Sequence, residues 1–303
     1  MHTIGVDIGG TKVKAGIVNH GGTITTHLEE QTNKLNLMNQ VFDLIGQLLN
    51  GNLKIAGIGI ATAGRVNVGK GTIHYATSNL PGWAGTRVKE QIEERFQLPA
   101  IVDNDANCAA FAEMEVGAAK KVKNLICITL GTGVGAGIIL NGQLHRGEIG
   151  GAGEIGHMIY MPNGRPCNCG KKGCWEQYVS GTALEMDIKE YGGSFAENLR
   201  PKELFRLANE GHPAAIQIVD RFLANLANGM VSLQSILDVE CFVMGGGVIQ
   251  SSHYWWDFFI RKLQAITDQP LLVRKARLEN DAGMIGAGLM ARKYVSIADR
   301  RKG

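Results

Sequence analysis

The sequence predicts an α/β fold made of two related halves, each opening with a strand, a glycine turn and a second strand. Three observations predict it. Ile8–Gly21, IGGTKVKAGIVNHG, aligns without a gap on Thr129–Gly142, TLGTGVGAGIILNG, at a constant offset of 121 residues, with seven identities in fourteen positions. Short apolar strand runs alternate with stretches of helical periodicity. A length of 303 residues is ample for two domains.

The elements follow in order. Ile4–Ile8, Val13–Val18 and Thr23–Thr26 read as strands, separated by turn signals at Gly9-Gly10 and His20-Gly21-Gly22. Asn36–Leu49 reads as a helix with Leu37, Val41, Leu44, Ile45, Leu48 and Leu49 on one face. Lys54–Thr62 is a buried strand and Thr86–Arg95 a helix. Ala100–Val102 is a short strand ending at Asp103-Asn104-Asp105, and Ala106–Val116 a helix packed through small residues. The boundary falls near Gly117–Lys123. This gives an N-terminal α/β domain, 1–118, completed by a C-terminal helix at 284–303, and a second α/β domain, 119–283. The segment Ser251–Phe259, SSHYWWDFF, reads as a buried helix before an interface.

Composition narrows the function. Hydrophobic residues make up 45% and charged residues 19%, an ordinary soluble globular profile. The 41 glycines follow no period, so they mark tight bends. A net charge of +3 is too small to point to nucleic acid or a membrane surface. Lys120–Lys123 and the Arg-Arg-Lys tail from Arg300 read as solvated faces. The N-terminus enters a strand pattern without a secretory signal, and no apolar run is long enough to span a bilayer. Three of the six cysteines cluster, while Cys108, Cys127 and Cys241 stand alone in apolar segments. That usage predicts a reducing cytoplasm, not a secreted disulfide framework.

Two motifs are decoys. Gly64–Lys70 matches the start of a phosphate-binding P-loop, but Gly71 replaces the required hydroxyl residue and a strand pattern follows. Gly131–Gly137 has G-x-G-x-G-x-G spacing and enters a strand, where a dinucleotide fold needs a helix.

Other motifs carry chemistry. Each glycine turn offers backbone N–H groups uncrowded by Cβ, which suits phosphate oxygens, and Thr11 and Thr132 add hydroxyls. Asp7 has no counterpart in the second half, where Ile128 stands. A lone carboxylate there suits Mg²⁺ held through water, or else local backbone amides. Cys167, Cys169 and Cys174, with His157 ten residues before the first, form a closed tetrahedral zinc set of structural type, within a loop at 157–174. Glu154 and Glu176 are tied to these ligands in sequence, and paired acceptors suit the vicinal hydroxyls of a sugar. In Asp103-Asn104-Asp105, Asp103 reads as a helix cap, Asn104 as donor and acceptor for a polyol, and Asp105 as either cap or proton acceptor. Gly245-Gly246-Gly247 follows an apolar strand and suits a flat ligand such as adenine, or a plain tight turn.

Together these motifs resemble the ROK family (repressors, open reading frames and kinases) over nearly the whole chain. Asp7-Ile8-Gly9-Gly10-Thr11-Lys12 is similar to that family's first phosphate motif and Gly131-Thr132-Gly133 to its second. Glu154–His157 and Cys167–Glu176 are similar to its sugar and zinc signature. The resemblance implies an actin-like, ribonuclease H-like ATPase fold of two duplicated domains, with ATP in an inter-domain cleft. It implies nucleotide and Mg²⁺ contacts from Asp7, Gly9, Gly10, Thr11, Lys12, Gly131, Thr132, Gly133, Gly245, Gly246 and Gly247. It implies Asp105 as the base acting on a sugar 6-hydroxyl. Sugar contacts follow from Gly64, Asn79, Asn104, Asp105, Glu154, His157 and Glu176, with His157 also on structural Zn²⁺ beside Cys167, Cys169 and Cys174.

Asn79 stands in Asn79-Leu80-Pro81-Gly82-Trp83, a stretch that looks glucokinase-like. The expectation is an ATP-dependent hexose 6-kinase for glucose, with N-acetylmannosamine the alternative sugar. A non-catalytic sugar sensor is the alternative of another class, and the intact Asp7, Asp105 and glycine turns argue against it. Family resemblance also implies a homodimer. The phosphate motif begins at residue 7, which leaves no room for a DNA-reading domain before it.

Overall fold

The structure is a computed structural model that describes residues 1–77, 79–197 and 199–300. Arg301 and Lys302 of the basic tail, and the last three residues of the expected C-terminal helix, lie outside them. The chain forms two compact units. The first takes in Met1–Lys123, Gly137–Gly153 and the chain from Arg277 onward; the second takes in Asn124–Ala136 and Glu154–Ala276.

The first half of the chain runs through β1 (His2–Ile8), β2 (Lys12–Val18), β3 (Ile24–Gln31), α1 (Leu37–Leu49), β4 (Ile55–Thr62), β5 (Arg65–Asn67), β6 (Thr72–Tyr75), α2 (Val88–Phe96), β7 (Ala100–Asn104) and α3 (Asp105–Glu115). Next come β8 (Leu125–Leu130), β9 (Val134–Leu140) and β10 (Gln143–Leu144). The remainder is α4 (Glu176–Val179), α5 (Gly181–Tyr191), α6 (Gly193–Ala196), α7 (Pro201–Asn209), α8 (Pro213–Leu237), β11 (Cys241–Gly245), α9 (Trp256–Ala265), β12 (Val273–Lys275) and α10 (Ala282–Arg300).

The duplication is written in the sheets. One has the order β3-β2-β1-β4-β7 and the other β10-β9-β8-β11-β12. In the first, β1 pairs antiparallel with β2 and parallel with β4, which pairs parallel with β7. In the second, β8, β11 and β12 are parallel neighbours in that order. The repeated hairpins β1–β2 and β8–β9 hold the same place in each sheet. The Gly64–Lys70 decoy is the first strand and the turn of a separate hairpin, β5–β6.

In the first unit, β1 and β4 are almost continuously apolar because both sheet faces are covered. Val41, Leu44, Ile45 and Leu48 of α1 and Ile92 of α2 join one buried cluster with Ile4 and Val6. Phe111 of α3 and Ile285 and Leu289 of α10 form another with Val18 and Ala61. Helix α10 lies so close that side chains are excluded. A Cβ at Gly5 would fall 2.0 Å from the Met284 carbonyl oxygen, one at Gly59 1.9 Å from that of Ala287, and one at Gly286 1.8 Å from that of Cys108.

Two expectations change. The sequence division puts 119–283 together, whereas Gly137–Gly153 packs in the first unit. The reason is a long-range contact: Gly137 lies on α3, its Cβ position 2.4 Å from the Ala110 Cβ. The cap of α3 is Asn104, not Asp103. The Asn104 side chain accepts from the Ala106 and Asn107 amides at 2.9 and 3.1 Å.

In the second unit, Phe222 of α8 meets Phe205 of α7 edge-on, and Phe205 meets Trp255. Ser251–Phe259 is a 3₁₀ turn running into α9, with Trp255 and Phe259 buried and His253 and Phe258 exposed. Among the described residues, no helix is long and apolar enough to cross a membrane.

Candidate active site

In the first unit, β1 ends at the Gly9–Thr11 turn. The Gly9 N–H donates to the Lys12 carbonyl at 3.0 Å, and the turn is braced from β3 by Thr32, whose hydroxyl donates to the Gly9 carbonyl at 2.7 Å. Thr11 is exposed at its tip. Lys12 forms an ion pair with Glu29. Asn79 packs on Gly10, its Cβ 3.2 Å from where a Cβ on that glycine would sit.

Asp7, half-buried at the strand end, rests against the first turn of α10, its carboxylate 2.7 Å from the Cβ position of Gly283. Burial, then the charge of Asp105, pushes its carboxyl up to about 7; Lys14 opposes this and Asp281 adds to it. Lys14 is itself held by Asp281 at 3.1 Å and the Asn280 carbonyl at 2.8 Å. Sequence reasoning missed these C-terminal partners because they lie more than 260 residues away.

The β7–α3 turn gathers three expected sugar contacts. Asp105 opens α3 and accepts from the Ala106 amide at 2.8 Å. Asn104 Nδ2 donates to the Gly64 carbonyl at 3.0 Å. Asp103 is buried and accepts from Arg146, the Asn104 amide and Asn107 Nδ2.

In the second unit, His157, Cys167, Cys169 and Cys174 bring their ligand atoms within 4.8 Å of one another. Cys169 and Cys174 sulfurs are 3.6 Å apart, and Cys167 Sγ is 3.6 Å from His157 Nδ1. A disulfide needs about 2.05 Å, whereas a tetrahedral zinc with Zn–S near 2.3 Å sets its sulfurs roughly 3.8 Å apart. Burial and the neighbouring thiols push Cys174 up to about 12, a cost that a bound cation removes. The donor set therefore fits zinc. His157 turns its other nitrogen, Nε2, toward Glu154 Oε2 at 3.9 Å, beyond hydrogen-bond reach.

Glu176 joins this loop to the second glycine turn. Its Oε2 accepts from the Val134 amide at 2.9 Å and occupies the space beside Gly133, 2.2 Å from that residue's Cβ position. Gly131 is held from behind, its carbonyl accepting from the Gly181 amide at 2.7 Å. Gly246, at φ +89°, comes within 2.4 Å (measured from its Cβ position) of the Leu130 carbonyl, so Gly245–Gly247 meets the same turn.

Two anchors of the loop were missed in the sequence. Trp175 is fully buried against Gly229 of α8, donating to the Asn225 carbonyl at 3.0 Å. Arg165 ties the loop to Asp187 at 2.5 Å and Glu190 at 2.6 Å on α5, and these carboxylates raise its pKa against the effect of burial. Neither local spacing nor composition marks these pairings.

The sequence profile of the ROK family matches residues 3–294. The chain belongs to the ROK family. A glucokinase of Streptomyces coelicolor is 36% identical, the alignment covering 96% of this chain and 98% of that one. An N-acetylmannosamine kinase of Haemophilus influenzae is 33% identical, covering 95% and 94%. The crystal structure of a ROK family glucokinase from Streptomyces griseus in complex with glucose and AMPPNP superposes with a TM-score of 0.82 at 33% identity, covering 97% of this chain and all of that one. The actin-like ATPase fold class expected from the motifs is the fold observed.

Proposed function

We propose that this ROK family protein is an ATP-dependent kinase that phosphorylates the 6-hydroxyl of a hexose, glucose first. The observation that carries the reading is the neighbourhood of Asp7: its carboxyl is pushed up by burial and by Asp105, the residue that opens α3. Two carboxylates that disfavour each other's charge call for a cation and a proton to share. Phosphoryl transfer uses both, since one carboxylate orients the nucleophile while a cation offsets phosphate charge.

In this reading Asp105 accepts the proton of the sugar hydroxyl as that oxygen attacks the γ-phosphorus and the bond to ADP breaks. Asn104 and Gly64, already bonded to each other, and Asn79 contact the sugar, with Glu154 and Glu176 as acceptors and the His157 ring beside them. The Gly9–Thr11 turn with Lys12, and Gly131–Gly133 with Gly245–Gly247, hold the nucleotide. Asp7, with Asp105 near it, would hold Mg²⁺, which when bound neutralises charge on the phosphates. Zinc on His157, Cys167, Cys169 and Cys174 is structural, fixing the loop that carries Glu154 and Glu176. A reducing cytoplasm suits these thiols, and a homodimer completes the reading, tested by light scattering.

The test is an ADP-release assay across a sugar panel, with Asp105→Asn beside the parent. A positioned general base contributes about 10²–10⁴-fold, so Asp105→Asn should bind sugar and lose at least about 10²-fold in kcat. Turnover within a few-fold of the parent removes Asp105 from that role. N-acetylmannosamine is the second reading, supported by the Haemophilus influenzae relative. If it outruns glucose tenfold, the substrate changes and the residues keep their roles.

A further inference from the structure

Asp103 and Arg146 form an ion pair that the proposed reaction does not use. Asp103 is 1% exposed. Its Oδ2 accepts from Arg146 Nε at 2.7 Å and Nη2 at 2.6 Å; its Oδ1 accepts from the Asn104 amide at 2.8 Å and Asn107 Nδ2 at 3.0 Å. An ion pair between a buried carboxylate and a partly exposed guanidinium adds little net stability, because desolvation of the carboxylate offsets the attraction. Its geometry is what distinguishes it. Four donors saturate the carboxylate, so Asp103 cannot turn to cap α3, and the cap passes to Asn104. Asn104 is then held by its own amide, by Oδ1 on two helix amides and by Nδ2 on Gly64. Asp105 follows directly.

We propose that Arg146 and Asp103 are positioning residues: they lock the Asn104 cap and thereby fix where Asp105 presents its carboxylate. The inference rests on the kinase reading for its catalytic consequence, though not for its structural one. Without Arg146, Asp103 keeps a buried charge with two amide donors. It then competes with Asn104 for the Ala106 and Asn107 amides, and the first turn of α3 moves. A misplacement of about 1 Å at a reacting group can cost about 10²-fold. The guanidinium fork is specific to this job, since lysine offers a point charge in its place.

Arg146 also lines two cavities, of about 320 Å³ with Phe111, Lys293 and Tyr294, and about 270 Å³ with Val66 and His74. Deleting its side chain therefore leaves a hole that a small cation can reach. In Arg146→Ala, kcat should fall roughly 30- to 100-fold with the KM for ATP within about threefold. Guanidinium chloride at tens of millimolar should restore kcat saturably, by about tenfold or more, where sodium chloride and urea do not. A general loss of folded protein would lower activity without such rescue. If Arg146→Ala does not fold, Arg146→Lys serves, with kcat expected about tenfold down and the melting temperature near the parent's.

Amide hydrogen exchange at Ala106 and Asn107 should quicken in either variant, and this readout needs no turnover. Unchanged exchange there, or unchanged kcat in a variant of an active parent, overturns the positioning role. A parent inactive on every sugar instead sinks the kinase reading and leaves the exchange result to judge the ion pair.

Discussion

Replacing Asp7 with asparagine should make the metal-free protein more stable, increasingly so as pH rises from about 4 to about 7. The folded carboxyl titrates at about 7 against 3.8 for the free side chain. An acid whose pKa is raised by folding stays protonated in the native chain while the unfolded chain ionises. Stability is therefore lost as pH climbs from about 4 to about 7, and the full cost is present above 7. A shift of about three units corresponds to about 4 kcal/mol. Solvent reaching the half-buried carboxyl screens part of it, leaving about 2 kcal/mol, or about 3 °C in melting temperature for a chain of this size.

The amide of Asp7→Asn carries no charge, so this cost disappears, and any penalty from the amide itself is independent of pH. Thermal unfolding in EDTA at pH 4.5 and pH 8.0 reads the difference. The variant's advantage over the parent should grow between the two by about 1.5 kcal/mol, and Mg²⁺ should stabilise the parent at pH 8.0 but not the variant. An identical gap at both pH values would refute the reasoning, because it would mean that Asp7 is not a strained charge.

Three further outcomes follow from the structure. Protein purified without added metal should carry one zinc per chain, and Cys169→Ser should lose it, lower the melting temperature and weaken sugar binding more than ATP binding; well-folded, active protein without zinc would rule the site out. Gly59→Ala should cost more than about 4 kcal/mol or yield no soluble protein, because its Cβ would lie 1.9 Å from the Ala287 carbonyl oxygen; a melting temperature near the parent's would mean that α10 does not press on β4 as described. Gly46→Ala, in α1 with nothing within 4 Å of the new methyl, should instead stabilise by up to about 1 kcal/mol, and a lower melting temperature would contradict that open space.

What the sequence made legible was local. The His157, Cys167, Cys169 and Cys174 cluster could be read because its members fall within eighteen residues, and the duplication because each glycine turn demands the same backbone in both halves. Helix α1 was legible because its buried face repeats at helical spacing. What escaped was decided across long separations. Asp103 and Asn104 are both good cap residues, and the Asp103 carboxylate is taken up by Arg146, 43 residues away. Gly137–Gly153 joins the first unit through Gly137 and α3, a contact no local pattern encodes. Asp7 was marked as functional by its asymmetry, but Lys14, Asp281 and Gly283, which set its charge state and packing, were not.

The glycine-tight seat of α10 on β1 and β4 has a consequence for how the protein is made. The strands it covers leave the ribosome well before α10 does. At about 5–20 residues per second, the chain between Lys123 and Arg277 takes on the order of ten to thirty seconds to emerge. Throughout that interval the bare glycine backbone at Gly5 and Gly59 lacks the helix that seats on it. Nascent chains stalled short of α10 should be captured by chaperones and cut by protease within the first sheet, whereas chains released with α10 in place should resist.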